Sequence, residues 1–194
     1  MNQTISVEEN QSQRTDEDTE LVIAAQQNPA GFERLYLKWL KPVYRYFYFR
    51  LGNIKDVEDL TSQVFLQVYK DLPRYRSRGA FSAWLFSIAH ARLVDYYRKD
   101  SRKAAREIVI EKLEISSTSA ELPAQAVQKN EIEQLFSLLN GLSEKEQTLI
   151  RLRFMAELSY REIGQILHCK EDTARKSTSR LLNRLKKQLE NDHE

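Results

Sequence analysis

Glycine and proline are scarce. Five glycines and four prolines in 194 residues are fewer than half of the roughly 12% in an average chain. Sandwiches and barrels need many Gly/Pro turns, so the shortage excludes them and predicts an all-α protein. Cys169 is the single cysteine, which excludes an internal disulfide and fits a reducing, cytoplasmic setting. No apolar run approaches the ~18–20 residues that cross a bilayer. The first ten residues, MNQTISVEEN, lack the apolar core of a signal peptide. The histidines His90, His168 and His193 are scattered, and no nucleophile–base arrangement is suggested. His168 and Cys169 are adjacent but lack a companion ligand pair, so no metal site is expected. No Gly-rich phosphate loop exists. Neither an enzyme nor a cofactor is expected.

What is abundant is charge, unevenly placed. The net charge is +2, yet residues 1–20 hold six acids and one base. Residues 72–106 hold nine bases and two acids, and residues 170–190 seven bases and three acids. Two separate basic stretches in a nearly neutral chain point to a polyanion gripped at two places. The plainer reading of each is a solvated helix face.

Helical patterning begins near Leu21. Residues 1–19 show no period and read as disordered. Leu21 to Ala25 reads as a short helix stopped before Asn28-Pro29, because the residue before proline disfavours the α region. Phe32, Leu35, Trp39, Val43 and Phe47 recur every three or four residues as a helix stripe. Leu51-Gly52-Asn53 reads as its stop. Val57, Leu60, Val64 and Val68 share one face of a third helix, ended by Pro73. Phe81, Trp84, Leu85, Ile88 and Ala89 open a fourth, which runs into basic residues around Arg98. Glu107 to Ile115 reads as a further short helix. Ser116 to Pro123 is a polar linker. Ile132, Leu135, Phe136 and Leu139 mark another helix. The expected architecture is two small helical domains on a flexible tether.

Two capping boxes mark the second domain. Ser143 and Glu146 open one helix, and Ser159 and Glu162 open the next. From Ser159 to Leu185 the pattern is a short capped helix, a break at His168-Cys169-Lys170, then a longer helix with bases opposite its apolar face. That is helix-turn-helix grammar, and such a second helix fits the B-DNA major groove. Thr173, Arg175, Lys176, Ser177 and Ser179 lie in its first turns, near bases or phosphates. Arg180, Arg184, Lys186 and Lys187 would follow the backbone, making affinity salt-dependent. Cys169 falls where such a turn takes a small apolar group and reads as structural.

In the first domain, the segment from Asp56 to Tyr69 places acids at a helix start, where the macrodipole favours them. Its exposed face also suits a basic partner. The next segment, Arg74-Tyr75-Arg76-Ser77-Arg78-Gly79-Ala80-Phe81-Ser82-Ala83-Trp84, mixes cations with aromatic rings. That chemistry suits single-stranded nucleic acid, where bases stack on rings and arginines hold phosphates. Phe81 and Trp84 also fit the core stripe. Tyr75 is the stronger stacking candidate because it sits in the loop.

These segments resemble the extracytoplasmic-function (ECF) class of bacterial sigma factors. The pattern DxEDLTxxVFLxV occupies 56–68, LPRYRxRGxFxAWLFxIAxxxLxDxxR occupies 72–98, and LSxxEQxLIRLRF followed by LSYREIGxIL spans 142–167. The resemblance implies a non-enzymatic protein that binds core RNA polymerase and directs it to promoter DNA. It implies polymerase docking by Asp56, Glu58, Asp59, Gln63 and Phe65. It implies that Arg74, Tyr75, Arg76, Ser77, Arg78, Trp84, Arg92, Arg98 and Lys99 melt and hold the minus-ten element. It implies that Thr173, Arg175, Lys176, Ser177, Ser179, Arg180 and Arg184 read the minus-thirty-five element. The implied layout is an acidic tail at 1–20, a polymerase and minus-ten domain at 21–100, a linker at 101–130 and a helix-turn-helix domain at 131–194. An anti-sigma partner is expected, and a membrane span is not.

The chain departs from the family pattern at several positions. Ala91 stands where Asn is usual, and Gln63 where an acid is common. His168 and Cys169 replace Gly and a small apolar residue. Ala174, Lys176, Ser177 and Thr178 replace Val, Ser, Arg and Leu, which points to an unusual promoter motif. Two other readings compete. One is a dimeric helix-turn-helix repressor or activator, which has no use for a single-strand pocket. The other is a pure interaction module, which leaves both basic stretches unexplained.

Overall fold

The computed structural model describes residues 17–51, 53–76, 80–107 and 141–191. Helices and the turns between them make up all of it, and no strand occurs among the described residues. The chain divides into two compact units, Met1–Glu121 and Leu122–Glu194. The expected tail through residue 16, the helix expected at 107–115 beyond its first residue, the helix expected at 132–139, and the 108–130 part of the expected linker lie outside the described residues.

In the first unit, helix α1 occupies residues 17–27 and α2 spans Pro29–Leu51. Asn28 caps α2 by accepting a 2.8 Å bond from the Gly31 amide, and Pro29 follows, where its missing N–H is no loss. A Cβ on Gly31 would lie 2.3 Å from the Ala24 backbone. Glycine is therefore what lets α1 and α2 cross so closely.

Residues 17–20 correct the expected boundary of the acidic tail. They are helical, and Asp18 is buried. Its carboxylate accepts from the Trp39 indole N–H at 3.2 Å and pairs with the Lys38 ammonium at 2.9 Å. A buried charge is tolerated only when so matched. Burial alone would lower the Lys38 pKa, but its bonds to Asp18 and Glu17 outweigh that and hold it above the usual lysine value.

Helix α3 spans Ile54–Asp71 and α4 spans Phe81–Glu107. Asn53, read from the sequence as part of a stop, is instead the cap of α3: its side chain accepts from the Lys55 amide at 2.9 Å. The core joins Leu35, Trp39, Val43 and Phe47 of α2, Val57, Leu60, Val64 and Val68 of α3, and Leu85, Phe86, Ala89 and Leu93 of α4. The three-and-four spacing that predicted each stripe is the one that packs. Phe86 meets Tyr46 and Trp39 edge-on at 5.6 and 6.1 Å between centroids. Helix α4 runs seven residues past the expected domain end at 100. The added stretch contains alanine, lysine and arginine and no breaker, so propensity carries it on.

In the second unit, α5 spans Glu144–Ile150, a π-helical turn follows at Arg151–Met155, α6 spans Tyr160–Ile166 and α7 spans Glu171–Asn191. Both expected capping boxes form. Glu146 accepts from the Ser143 amide at 3.0 Å and hydroxyl at 2.7 Å, and Glu162 accepts from both Ser159 groups at 2.6 Å. The helix that Ser143 opens widens after Ile150. The Ala156 amide reaches back five residues to the Arg151 carbonyl at 3.0 Å, and this shift helps turn Leu152 and Leu158 into the core, where both are fully buried.

The turn between α6 and α7 is tight. A Cβ on Gly164 would sit 2.7 Å from the Cys169 carbonyl oxygen, whose own amide bonds the Gly164 carbonyl at 2.9 Å. His168 takes the left-handed conformation, φ 52°. That is the conformation for which glycine is suited, which accounts for the usual residue at this place. Cys169 is half-buried. Ala174, Thr178 and Leu181 seat α7 on the unit, and the Thr178 hydroxyl is satisfied by the Ala174 carbonyl at 2.9 Å.

Candidate partner and nucleic-acid interfaces

The outward side of α3 carries Glu58, Asp59, Ser62, Gln63, Leu66 and Tyr69, all exposed. Their spacing of three, four and seven puts them on one helix face. Asp56 is half-buried beside them, and its carboxylate accepts from the Tyr96 hydroxyl of α4 at 2.9 Å. Phe65 was expected on this face and is not there. It is buried, edge-on to Tyr36 at 4.7 Å, because its position follows Val57 and Thr61 on the inward side. It supports the helix from beneath. Leu66, 60% exposed, holds the outward apolar position instead. The sequence signal was available: Leu66 lies seven residues after Asp59 and eight after Glu58, on the same polar stripe.

Beyond α3, a single 3₁₀ turn, Leu72–Arg74, leads into the basic loop. Gln26 of α1 fixes it from the side. Its amide donates to the carbonyls of Leu72 at 2.8 Å and Tyr75 at 2.9 Å, a role no local pattern announced. Tyr75 is half-buried and packs on Trp84 at 4.5 Å and Phe81 at 5.8 Å between centroids. Phe81 is core; Trp84 is half-buried. The three rings form one cluster at the start of α4. Arg74 and Arg76 are exposed on either side of Tyr75. Ser77 and Arg78 lie outside the described residues.

From Trp84, the outward face of α4 continues through Ser87, Ile88, Ala91, Asp95 and Arg98. Arg98 pairs with Asp95 at 3.1 Å, and Lys99 is exposed. Arg92 is half-buried at the side of this face. It donates to the Gln67 side-chain oxygen at 3.0 Å, and the Gln67 amide in turn donates to Asp71 at 2.6 Å. Aromatic faces flanked by cations can hold unpaired bases and their phosphates together.

In the second unit, Thr173, Lys176, Arg180, Arg184 and Lys187 share the outward face of α7, opposite Ala174, Thr178 and Leu181. Asn183 is exposed between Arg180 and Lys187, an uncharged residue that a charge pattern does not flag. Ser177 is half-buried and Ser179 exposed at the sides. Arg175 turns back toward its own helix start, paired with Glu171 and, at 3.9 Å, with Asp172. Arg184 pairs with Glu146 of α5 at 2.7 Å. The Ser143 hydroxyl and amide, with Arg184 adding to them, hold the Glu146 carboxyl below its usual pKa. This face offers cations, amides and hydroxyls on a rigid helix, the groups that read a duplex groove. No group of three His, Cys, Asp or Glu that could hold a metal exists among the described residues.

Known proteins match both units. The family pattern Sigma-70 region 2 matches residues 35–103, and Sigma-70, region 4 matches residues 138–187. The ECF RNA polymerase sigma factor SigW of Bacillus subtilis is 30% identical over 155 residues, covering 76% of this chain and 82% of the relative. The ECF RNA polymerase sigma factor BldN of Streptomyces coelicolor is 29% identical over 89% of this chain. The chain spans 66% of that relative's length. Among solved structures, the sigma factor RpoE in complex with the anti-sigma factor NepR from Bartonella quintana matches with a TM-score of 0.63. It is 21% identical, covering 82% of this chain and 96% of RpoE, and shares the fold. The two regions, in this order and with the α7 and Tyr75 faces they contain, define a sigma factor of the sigma-70 type. Within that type, the chain belongs to the ECF RNA polymerase sigma factors and recognises promoters. No described helix is long and apolar enough to cross a membrane.

Proposed function

We propose that the chain divides promoter recognition between its two units while docked on core RNA polymerase. The outward face of α3 docks, through Asp56, Glu58, Asp59 and Gln63 around Leu66. The cluster of Tyr75 and Trp84, with Arg74, Arg76, Ser77 and Arg78, holds the unpaired minus-ten strand. Arg92, Arg98 and Lys99 follow its phosphates. Helix α7 reads the minus-thirty-five duplex through Thr173, Lys176, Ser177, Ser179 and Arg180, with Arg175 and Arg184 toward the backbone. We assign these tasks to residues 17–107 and 131–194, with 108–130 as tether and 1–16 as an acidic tail.

Binding, with no catalytic step, drives melting in this scheme. A protein that holds the open strand more tightly than the duplex shifts the equilibrium toward opening. The observation that carries the reading is the contrast between faces: rings ordered among arginines in one unit, and a ring-free cationic helix in the other. The setting is cytoplasmic, where polymerase and promoter are. An inhibitory partner fits as well, since RpoE of Bartonella quintana, alike in fold, is solved with the anti-sigma factor NepR.

The test is transcription reconstituted from the purified chain, core polymerase and a promoter mapped by overexpression. Polymerase-dependent initiation at one defined site is the expected result. Dimeric operator binding that needs no polymerase contradicts it.

A further inference from the structure

The one arginine in the second half of α7 is already paired. Arg184 Nη2 lies 2.7 Å from Glu146 Oε1, and the side chains are 50% and 24% exposed. Glu146 is not a loose surface acid. Its other oxygen, Oε2, accepts from the Ser143 amide at 3.0 Å and hydroxyl at 2.7 Å. The cap of α5 thus fixes the carboxylate whether or not Arg184 is present, and Arg184 is the half of the pair that can move. At the other end of the helix, Arg175 pairs with Glu171 and Asp172 of its own first turn, which are more exposed than Glu146. Between them, Lys176 and Arg180 are exposed, with no carboxylate of the described residues at ion-pair distance.

A guanidinium paired with a carboxylate gains little from a passing phosphate. It must exchange one anion for another, and the carboxylate left behind repels the DNA. Only a duplex that docks α7 in register can repay the exchange through its other contacts. From this geometry we infer that Glu146 is a specificity-determining residue. It masks Arg184 against non-specific DNA and releases it only in the docked complex. This deepens the assignment of α7 to duplex reading and rests on it. The residues that choose the bases remain Lys176, Arg180 and their neighbours; Glu146 lowers the background against which they are read. Background matters because non-specific binding is almost wholly electrostatic.

Glu146→Gln separates the mask from the fold. Glutamine still serves the cap, since its oxygen can accept from Ser143. Its NH₂ then faces Arg184, donor against donor, and the pair is lost. The measurement is fluorescence anisotropy of the full chain on a random-sequence duplex across a salt series, with thermal melting alongside. Glu146→Gln is expected to stay folded and melt only a few degrees below the parent, bind the duplex about two- to fivefold more tightly, and steepen the salt slope by about one counterion. Arg184→Ala is expected to weaken non-specific binding, because it leaves the Glu146 carboxylate without its cation. In the double variant the gain is expected to vanish. A gain that persists without Arg184 overturns the inference, because it is then a general charge effect. So does Glu146→Gln binding that is unchanged or weaker. A parent chain with no duplex affinity at low salt overturns the assignment of α7 itself, and the mask with it. Affinity in the parent with no gain in the variant overturns only the mask.

Discussion

The two units handle cations in opposite ways. In the N-terminal unit, Arg74 and Arg76 stand exposed beside a ring cluster, with Gln26 pinning the turn that carries them. The rigid element there is aromatic. In the C-terminal unit, no ring is among the exposed residues of α7, and two of its arginines are paired with carboxylates, one of which the α5 cap fixes. The rigid elements there are the helix and its counter-charges. An unpaired base offers a flat face, which rewards stacking. A paired duplex offers groove edges and regular phosphates, which reward placed donors. The contrast in chemistry matches the two targets we propose.

The sharpest break comes from removing one core while leaving the other. Phe86 is fully buried against Trp39 and Tyr46, so Phe86→Ala should cost the N-terminal unit about 3–5 kcal/mol. Calorimetry of the full chain should show one transition falling and the other unmoved, with duplex binding through α7 retained. A common fall of both transitions would mean the units fold as one.

Next in size is Tyr75→Ala. Stacking is worth about 1–3 kcal/mol per base, so binding to minus-ten single strand on holoenzyme should fall about tenfold or more. Duplex binding should not change. The mirror variant is Arg180→Ala. It should weaken duplex binding several-fold and flatten its salt slope by about one counterion, leaving single-strand binding intact.

Much of this contrast was legible in the residues. The two capping boxes and the apolar stripes are local, so spacing alone located them. The ring cluster was half legible: Tyr75 stood out in its loop, but its packing on Trp84 needed the turn at Leu72–Arg74 to bend back. Pairs distant in sequence were not legible. Asp18 read as one more acid of a polar tail, because its partners Lys38 and Trp39 lie about twenty residues on. Arg184 read as a free cation for the same reason, with Glu146 38 positions away. Phe65 was misplaced because family position stood in for helix phase. The rotation of about 100° from Phe65 to Leu66 decides which of them can meet a partner. The π-helical turn after Ile150 carried no sequence signal that we can identify.

The smallest effects are electrostatic and opposite in sign. Lys38 is held above its ordinary pKa of 10.5. Its contribution is therefore complete below that value and lost as pH rises through the raised one. Glu146 is held below its ordinary 4.5. Its contribution is present above that value and lost as pH falls through the lowered one. The N-terminal unit should thus soften first in alkali and the C-terminal unit in acid. Glu146→Gln should flatten the acid limb of the melting temperature against pH, whereas Lys38→Met, which strips the buried Asp18 carboxylate of this ion pair, should lower the N-terminal transition as well as flatten its alkaline limb. A single limb shared by both units would show that these two pairs do not control it.

The division of labour is tested most directly by permanganate reactivity of promoter thymines, measured at saturating concentrations of two holoenzymes. With Arg180→Ala, saturation should restore full minus-ten reactivity, because only duplex capture is weakened. With Tyr75→Ala, the promoter should be occupied while its thymines stay protected. Normal reactivity in the Tyr75→Ala complex would contradict the account.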